Sequence, residues 1–194
     1  MKIQQIREAD QGDGIAQKAY KDLGIFIAYS LDGRSTEAIQ NFCEDYEIPN
    51  CLEKEDFHVT LISSEIYDED FVPDGILNTP LTVYNFKLEE WQSEDNKKIL
   101  VARFESEDLQ AIHNDILREY EVESKYDEFL PHFTISYDLE GWSLKEKHQL
   151  EFNEYVPIVD LTEQYCEPLD DEWTEKHTAT NQSKKQSKEK KNDK

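Results

Sequence analysis

Glycine, proline and cysteine are all scarce in this sequence. Its 194 residues include six Gly, six Pro and three Cys. So little Gly and Pro excludes a collagen-like chain, and an odd number of Cys without a Cys-x-x-Cys spacing indicates neither a disulfide framework nor a thiolate zinc site. No apolar run approaches the ~18 residues of a membrane helix, and the N-terminus lacks the apolar stretch of a secretory signal. We therefore expect a soluble protein that stays in a reducing cytoplasm, with no membrane partner.

Basic residues are also scarce, and they are unevenly placed. The chain has 21 Lys and Arg against 44 Asp and Glu, and seven of the Lys lie in the segment 174–194. Residues 1–173 hold the other 14 basic residues against 41 acidic ones, a net charge of −27. Affinity for long nucleic acids depends on Lys and Arg that neutralise phosphates. This charge therefore argues against DNA or long RNA as a ligand, unless the protein imitates one.

Composition divides the chain into three segments. Residues 1–20 form a polar lead segment without a clear hydrophobic period. Residues 21–173 form a single domain, since the chain's 37% hydrophobic residues suffice for one core. The Lys-rich tail 174–194 is expected to be disordered, because it has almost no apolar surface to offset the entropy of ordering it.

The central segment repeats a β-α-β pattern, with apolar strand-like runs on either side of residues at helical spacing. The six predicted elements are strand 24–30, helix 38–46 with Ser35 as a possible cap, strand 57–62, strand 99–104, helix 109–120 and strand 129–137. The interval from Gly24 to His58 is 34 residues, and that from Ile99 to His132 is 33. We predict an α+β fold from two duplicated units, with a further strand at 80–91 that forms a hairpin with 99–104.

Each copy places a His two residues before a Thr, as His58 and Thr60 in the first and His132 and Thr134 in the second. Because side chains alternate along a strand, each His shares a face with its Thr. Two imidazoles in one cleft can serve as general base and general acid, and Thr hydroxyls can donate hydrogen bonds to phosphate oxygens. The structural alternative is a strand His bonded to a neighbouring backbone group, with Thr present for its β-propensity. Two copies at the same place in two repeats favour the catalytic interpretation.

The other aromatic and imidazole side chains near these repeats show no such pattern. His113 on the second helix, His148 in a Lys-rich segment and His177 in the tail are expected to be solvated. Tyr137 and Trp142 are assigned to the core or to loops.

The paired motifs in a duplicated β-α-β chain resemble the two-histidine (2H) phosphoesterases. That family folds as two pseudo-symmetric lobes of mostly antiparallel sheet, with both motifs facing across a central groove. Residues 24–173 are most similar to the bacteriophage anti-CBASS phosphodiesterases, in the opening Gly-Ile-Phe-Ile-Ala-Tyr, the Ile-Pro-Asn before Phe-His-Val-Thr, and the closing Glu-Pro-Leu-Asp-Asp-Glu-Trp. Those enzymes degrade the cyclic di- and trinucleotides with which bacteria signal infection.

The resemblance implies a mechanism without metal or other cofactor, in the cytoplasm of an infected bacterium. One imidazole would deprotonate a ribose 2′-OH, which attacks the adjacent 3′-phosphodiester, while the other imidazolium protonates the leaving 5′-oxygen. The ring opens through a 2′,3′-cyclic phosphate. Thr60 and Thr134 would hold the phosphate and share its developing charge. The sequence leaves open which His is the base, which cyclic nucleotide is preferred and whether the protein is an oligomer.

The resemblance also suggests four residues that bind the bases: Phe26, Trp91, Glu167 and Trp173. Stacking on an aromatic face contributes about 1–3 kcal/mol per base and tolerates base identity. Phe26 stands where the resemblance leads us to expect Tyr, and it has an alternative role in the core. Trp91 lies among polar residues, where a core side chain would be unusual. Glu167 has an alternative role as a solvated carboxylate, and Trp173 as an anchor for the C-terminal segment.

Two other functions stay open at this point. The first is a different 2H enzyme, such as an RNA 2′,3′-cyclic phosphodiesterase or a ligase-like protein acting on short fragments. The second is a non-enzymatic acidic mimic of DNA, which has no use for paired His-x-Thr strands. Incubation with cyclic GMP-AMP in EDTA would separate these functions from that of a cyclic-nucleotide phosphodiesterase.

Overall fold

The structure is a computed structural model that describes residues 23–93, 95–126 and 128–169. The lead segment 1–20, the tail 174–194, Trp173 and His177 lie outside these residues. The elements in chain order are β1 (Ile25–Leu31), α1 (Gly33–Asp45), a short 3-10 turn (Lys54–Asp56), β2 (His58–Ser64), β3 (Gly75–Tyr84), β4 (Lys87–Gln92), β5 (Lys98–Arg103), α2 (Glu107–Glu119), β6 (His132–Ser136), α3 (Glu146–Tyr155) and β7 (Ile158–Pro168). No helix within the described ranges is long and apolar enough to cross a membrane.

All seven strands form one sheet, in the order β3-β7-β1-β2-β6-β5-β4. Every pairing in it is antiparallel. The predicted duplication is present, because β1-α1-β2 and β5-α2-β6 have the same connectivity and occupy the two halves of the sheet. The α+β prediction is therefore confirmed. The two lobes are halves of a continuous sheet that meet where β2 pairs with β6.

The two equivalent helices pack against one face of this sheet. Ile39 and Phe42 of α1 and Leu109 of α2 belong to the same buried core as Val59 of β2 and Phe133 of β6. Alternation along the strands then turns the intervening side chains to the opposite face. We call that opposite face of the central strands the groove face.

Both helices begin at a side-chain cap. The Asp32 carboxylate accepts hydrogen bonds from the backbone N–H groups of Ser35 at 3.0 Å and Arg34 at 3.2 Å, so Asp32 caps α1. The prediction that Ser35 is the cap was wrong, because α1 begins within the turn before it. Ser106 caps α2 through the N–H of Leu109 at 3.2 Å.

The predicted strand 80–91 is two strands in the structure. The chain turns at Asn85, whose φ of 61° lies in a region that Asn tolerates better than most residues. Phe86 follows and is buried, with its N–H bonded to the side chain of Asn153 at 3.0 Å. β4 forms the predicted hairpin with β5, whereas β3 pairs with β7 at the other edge of the sheet.

Two of the three cysteines are paired, which corrects the expectation drawn from their number. Cys43 near the end of α1 and Cys51 in the following loop form a disulfide with a Cα–Cα distance of 6.3 Å. The chain reverses between them through Glu47 and Asn50, both with positive φ. This reversal brings the two Cα atoms within the range that a disulfide spans. Cys166 lies on β7.

His113 and His148 are buried, so the prediction that they are solvated was wrong. Their exposed fractions are 5% and 4%. The Nδ1 of His113 bonds to the Leu61 carbonyl at 2.8 Å, and its ring stacks on Phe129. The Nδ1 of His148 accepts from the Lys145 N–H at 3.1 Å. An imidazole with such a hydrogen-bond partner can be buried without a large cost.

Candidate active site

The two His-x-Thr motifs lie side by side at the centre of the sheet. β2 and β6 run antiparallel with Val59 opposite Phe133. Continuing this register by one residue each way places His58 opposite the Thr of the second motif, and His132 opposite the Thr of the first. Since Val59 and Phe133 point into the core, both His and both Thr lie on the groove face. Two sites separated by 74 residues in the chain therefore become one constellation.

Both imidazoles are held by the same local bond. The Nδ1 of His58 contacts the Asp56 carbonyl at 2.8 Å, and the Nδ1 of His132 contacts the Leu130 carbonyl at 2.7 Å. Because a carbonyl only accepts, Nδ1 carries the hydrogen in each ring. In a neutral ring this leaves Nε2 as the nitrogen that can take up a proton.

The surroundings of His132 favour its neutral form. Burial lowers the pKa of His132 below its usual range. The bond to the Leu130 carbonyl and the negative charge of Glu89 act in the opposite direction and are the smaller effects. A neutral imidazole at neutral pH is ready to accept a proton.

Tyr137 lies beside the second motif, a position that the sequence pattern did not predict. It shares a hydrogen bond with Thr134, which is 9% exposed. Burial raises the pKa of Tyr137 to about 12, so its hydroxyl stays protonated through the physiological range. β6 ends at Ser136, and strand alternation therefore gives no direction for the Tyr137 side chain.

Each motif imidazole lies beside an aromatic ring from another strand. The Phe26 ring of β1 meets His58 edge-on, with 5.3 Å between ring centroids. The Trp91 ring of β4 lies 4.5 Å from that of His132 at an interplanar angle of 55°. Phe26 and Trp91 are both partly exposed. The structure thus brings two of the four predicted base-binding residues to the two motifs.

Glu167 lies on the same face as Phe26. The register of β1 and β7 places Glu167 directly opposite Phe26, and its side chain is exposed. The adjacent Tyr165 ring is 6.5 Å from Phe26, and burial together with the Glu167 charge raises the pKa of Tyr165. Trp173, the fourth predicted residue, is outside the described residues.

Three charged residues that sequence reasoning did not select lie near the second motif. Arg103 of β5 stands opposite His132. Lys87 of β4 stands opposite Arg103, and Glu89 follows on the same face. The alternation of residues 87, 89 and 91 was the signal that could have identified Lys87 and Glu89, because it places both charges on the same face of the strand as Trp91. Only the strand register connects that face with His132.

The constellation has the groups that a phosphoryl transfer between oxygens requires. Two imidazoles can take and give a proton, and two Thr hydroxyls can donate to phosphate oxygens. Across the ranges that the structure describes, no group of three or more His, Cys, Asp and Glu is placed to hold a metal ion.

Comparison with known proteins identifies the family. The family model of anti-CBASS protein Acb1 matches residues 23–176, a span that contains both motifs and all four predicted base-binding residues. The chain belongs to the Acb1 family of anti-CBASS proteins. The resemblance inferred from the motifs is thereby confirmed at the level of this family.

Two curated phage relatives bear the Acb1 name. Anti-CBASS protein Acb1 of Vibrio phage KVP40 is 25% identical over 156 residues, covering 80% of this chain and 94% of the relative. Anti-CBASS protein Acb1 of Enterobacteria phage T4 is 24% identical over 158 residues, covering 80% and 96%. Among solved structures, TT0787 of Thermus thermophilus has 15% identity and a TM-score of 0.43, covering 74% of this chain and 83% of the other.

Proposed function

We propose that this Acb1-family protein is a phosphodiesterase that opens the 3′-5′ linkages of cyclic di- and trinucleotides in the host bacterial cytoplasm. The observation that carries the proposal is the pair of tethered imidazoles on one face of the sheet, each opposite the Thr of the other motif. The family adds the biological setting, since its members carry the anti-CBASS name.

The reaction we propose is an attack by the substrate's own ribose. One Nε2 takes the proton of the 2′-OH, and the new bond forms between the 2′-oxygen and phosphorus. The bond from phosphorus to the 5′-oxygen breaks, and the second imidazolium gives its proton to that oxygen. Atoms and protons balance, and the products of this step are a 2′,3′-cyclic phosphate and a 5′-hydroxyl on one linear chain.

The burial of His132 supports a division of roles between the two rings. His132 is kept neutral by burial, which suits a general base. His58 would then be the general acid. Thr60 and Thr134 would donate to the non-bridging oxygens, where negative charge grows in the transition state. Tyr137 would hold the Thr134 hydroxyl in place through their shared hydrogen bond.

Small ligands with aromatic bases suit this groove. Residues 1–173 carry a net charge of −27, so long-range electrostatics oppose a polyphosphate ligand. Stacking of bases on aromatic rings does not depend on the net charge of the protein. Phe26 lies beside His58, and Trp91 lies beside His132. A cyclic dinucleotide has two bases that such rings could hold.

The test is to incubate the full chain with cyclic GMP-AMP in EDTA and to identify the products by mass spectrometry. We expect a linear product that carries a 2′,3′-cyclic phosphate, and no cleavage of an analogue that lacks the 2′-OH at the scissile linkage. Cleavage of that analogue would show that water is the nucleophile. Activity that EDTA abolishes and Mn²⁺ restores would overturn the metal-independent mechanism.

A further inference from the structure

We propose that Glu89 is a positioning residue that locks the indole of Trp91 against His132. The inference rests on the proposed function and extends it to a carboxylate outside the His-x-Thr motifs. Three features support it: the register of three strands, the hydrogen bonds of one carboxylate and the position of one ring.

The strand register brings Glu89 to the second motif. Lys87, Glu89 and Trp91 alternate along β4 and therefore share the groove face. β4 pairs with β5 so that Lys87 lies opposite Arg103, and β5 pairs with β6 so that Arg103 lies opposite His132. Glu89 itself lies opposite the β5 residue that pairs with the Thr of the second motif.

Both carboxylate oxygens of Glu89 are engaged, each by a different partner. Oε2 accepts a hydrogen bond from the Trp91 indole Nε1 at 2.9 Å. Oε1 pairs with the Lys87 Nζ at 2.7 Å. A carboxylate with a partner on each oxygen is restricted to one orientation, and the indole that is bonded to it has less freedom to rotate. Such charge-assisted bonds are stronger than neutral ones.

The locked indole is the ring that contacts His132. Its centroid lies 4.5 Å from the imidazole centroid, so a rotation of Trp91 would open one side of His132 to solvent. Fixing a ring before ligand arrives also spares the entropy that binding would otherwise cost. The arrangement therefore acts on both the base-binding face and the imidazole.

The charges around Glu89 keep it ionised. The hydrogen bonds from Lys87 and Trp91, with the charges of Lys87 and Arg103, lower the pKa of Glu89. Its negative charge in turn acts on His132, where it favours the protonated ring against the effect of burial. Removing the charge while keeping the acceptor should therefore separate the electrostatic from the orienting contribution.

The test compares Glu89→Ala, Glu89→Gln and the matched control Glu90→Gln. Glu90 is the next residue along β4, on the other face, and pairs with Lys98 at 2.7 Å. The exposed fractions of the Glu89 and Glu90 side chains are 20% and 24%, so their surroundings are comparably buried. The Trp91 Nε1–H resonance, assigned by its loss in Trp91→Phe, and its hydrogen-exchange rate are measured without any substrate.

We expect Glu89→Ala to shift that resonance and to speed its exchange by roughly 10- to 150-fold, the range that corresponds to one lost hydrogen bond to a charged group. KM for cyclic GMP-AMP should rise more than kcat falls. Glu89→Gln keeps an acceptor, so it should preserve the protected indole and KM. Its pH–rate profile should move its acid limb to lower pH, because His132 loses a favourable charge. Glu90→Gln should leave every readout unchanged.

An unaltered indole resonance and exchange rate in Glu89→Ala would overturn the inference, as would changes no larger than those of Glu90→Gln. A failure of the proposed function gives a different pattern. In that case Glu89→Ala still releases the indole, but the wild-type chain does not cleave the cyclic dinucleotide. The resonance thus tests the positioning role even if the substrate assignment is wrong.

Discussion

Replacing Trp91 with Ala should weaken the binding of a cyclic dinucleotide while leaving the sheet intact. Trp91 lies on β4, an edge strand, and its ring is partly exposed, so truncation removes stacking surface without opening the core. Stacking on an aromatic side chain contributes about 1–3 kcal/mol per base, which corresponds to roughly 5- to 150-fold in Kd. The loss should be smaller in Trp91→Phe, which keeps an aromatic face but cannot bond to Glu89.

Calorimetry provides the assay. Kd for cyclic GMP-AMP is measured in a His58→Ala background, where turnover does not consume the ligand. Trp142→Phe is the matched control, because Trp142 bonds to the Tyr46 carbonyl at 3.0 Å and stacks on His148, away from the motifs. A Kd for Trp91→Ala within twofold of its parent would refute stacking at this ring, and so would an equal loss in Trp142→Phe.

Three further predictions concern hydroxyls, protons and salt. Thr60→Val and Thr134→Val should each lower kcat by less than the loss of a motif His, because a hydroxyl is one of several groups that bind the phosphate. Wild-type rates in both variants would show that the Thr hydroxyls have no role in the mechanism. Burial holds the pKa of His132 in the folded protein below 6.5, its usual value. As the pH falls, this His is therefore protonated in the unfolded chain before it is protonated in the folded one, and the free energy of unfolding decreases below about pH 6.5. Urea unfolding at pH 7 and pH 5 should therefore show a smaller acid loss in His132→Gln, and an equal loss would contradict the assignment. Raising salt from low to physiological concentration should leave cyclic GMP-AMP affinity unchanged or slightly stronger, whereas a collapse of affinity would reveal a basic contact that dominates binding.

Short-range patterns in the sequence were enough to predict that the two His-x-Thr motifs lie on equivalent strands of the candidate site. Alternation put each His on the face of its Thr, and the nearly equal intervals in the two repeats put the motifs on equivalent strands. The rule that alternate residues share a face holds wherever one face is buried, as it is at Val59 and Phe133. The duplicated α+β architecture followed from the same patterns.

Features that depend on distant partners were not predictable in this way. The turn at Asn85 is fixed by the contact of Phe86 with Asn153, and the Cys43–Cys51 pair by the chain reversal after α1. His113 was predicted to be solvated because its side chain is polar, but the Leu61 carbonyl gives it a hydrogen-bond partner inside the protein. The proximity of Glu89 and Arg103 to the second motif depends on the register of three strands, which no local pattern encodes.

The central claim is that two imidazoles share the proton transfers, and the turnover of single variants tests it most directly. Cyclic GMP-AMP cleavage in EDTA is compared for wild type, His58→Ala, His132→Ala and His177→Ala, a control His outside both motifs. General acid–base catalysis contributes on the order of 10² to 10⁴-fold per group, so each motif variant should lose about that much kcat with little change in Kd. Full turnover in either His58→Ala or His132→Ala would contradict the two-histidine mechanism.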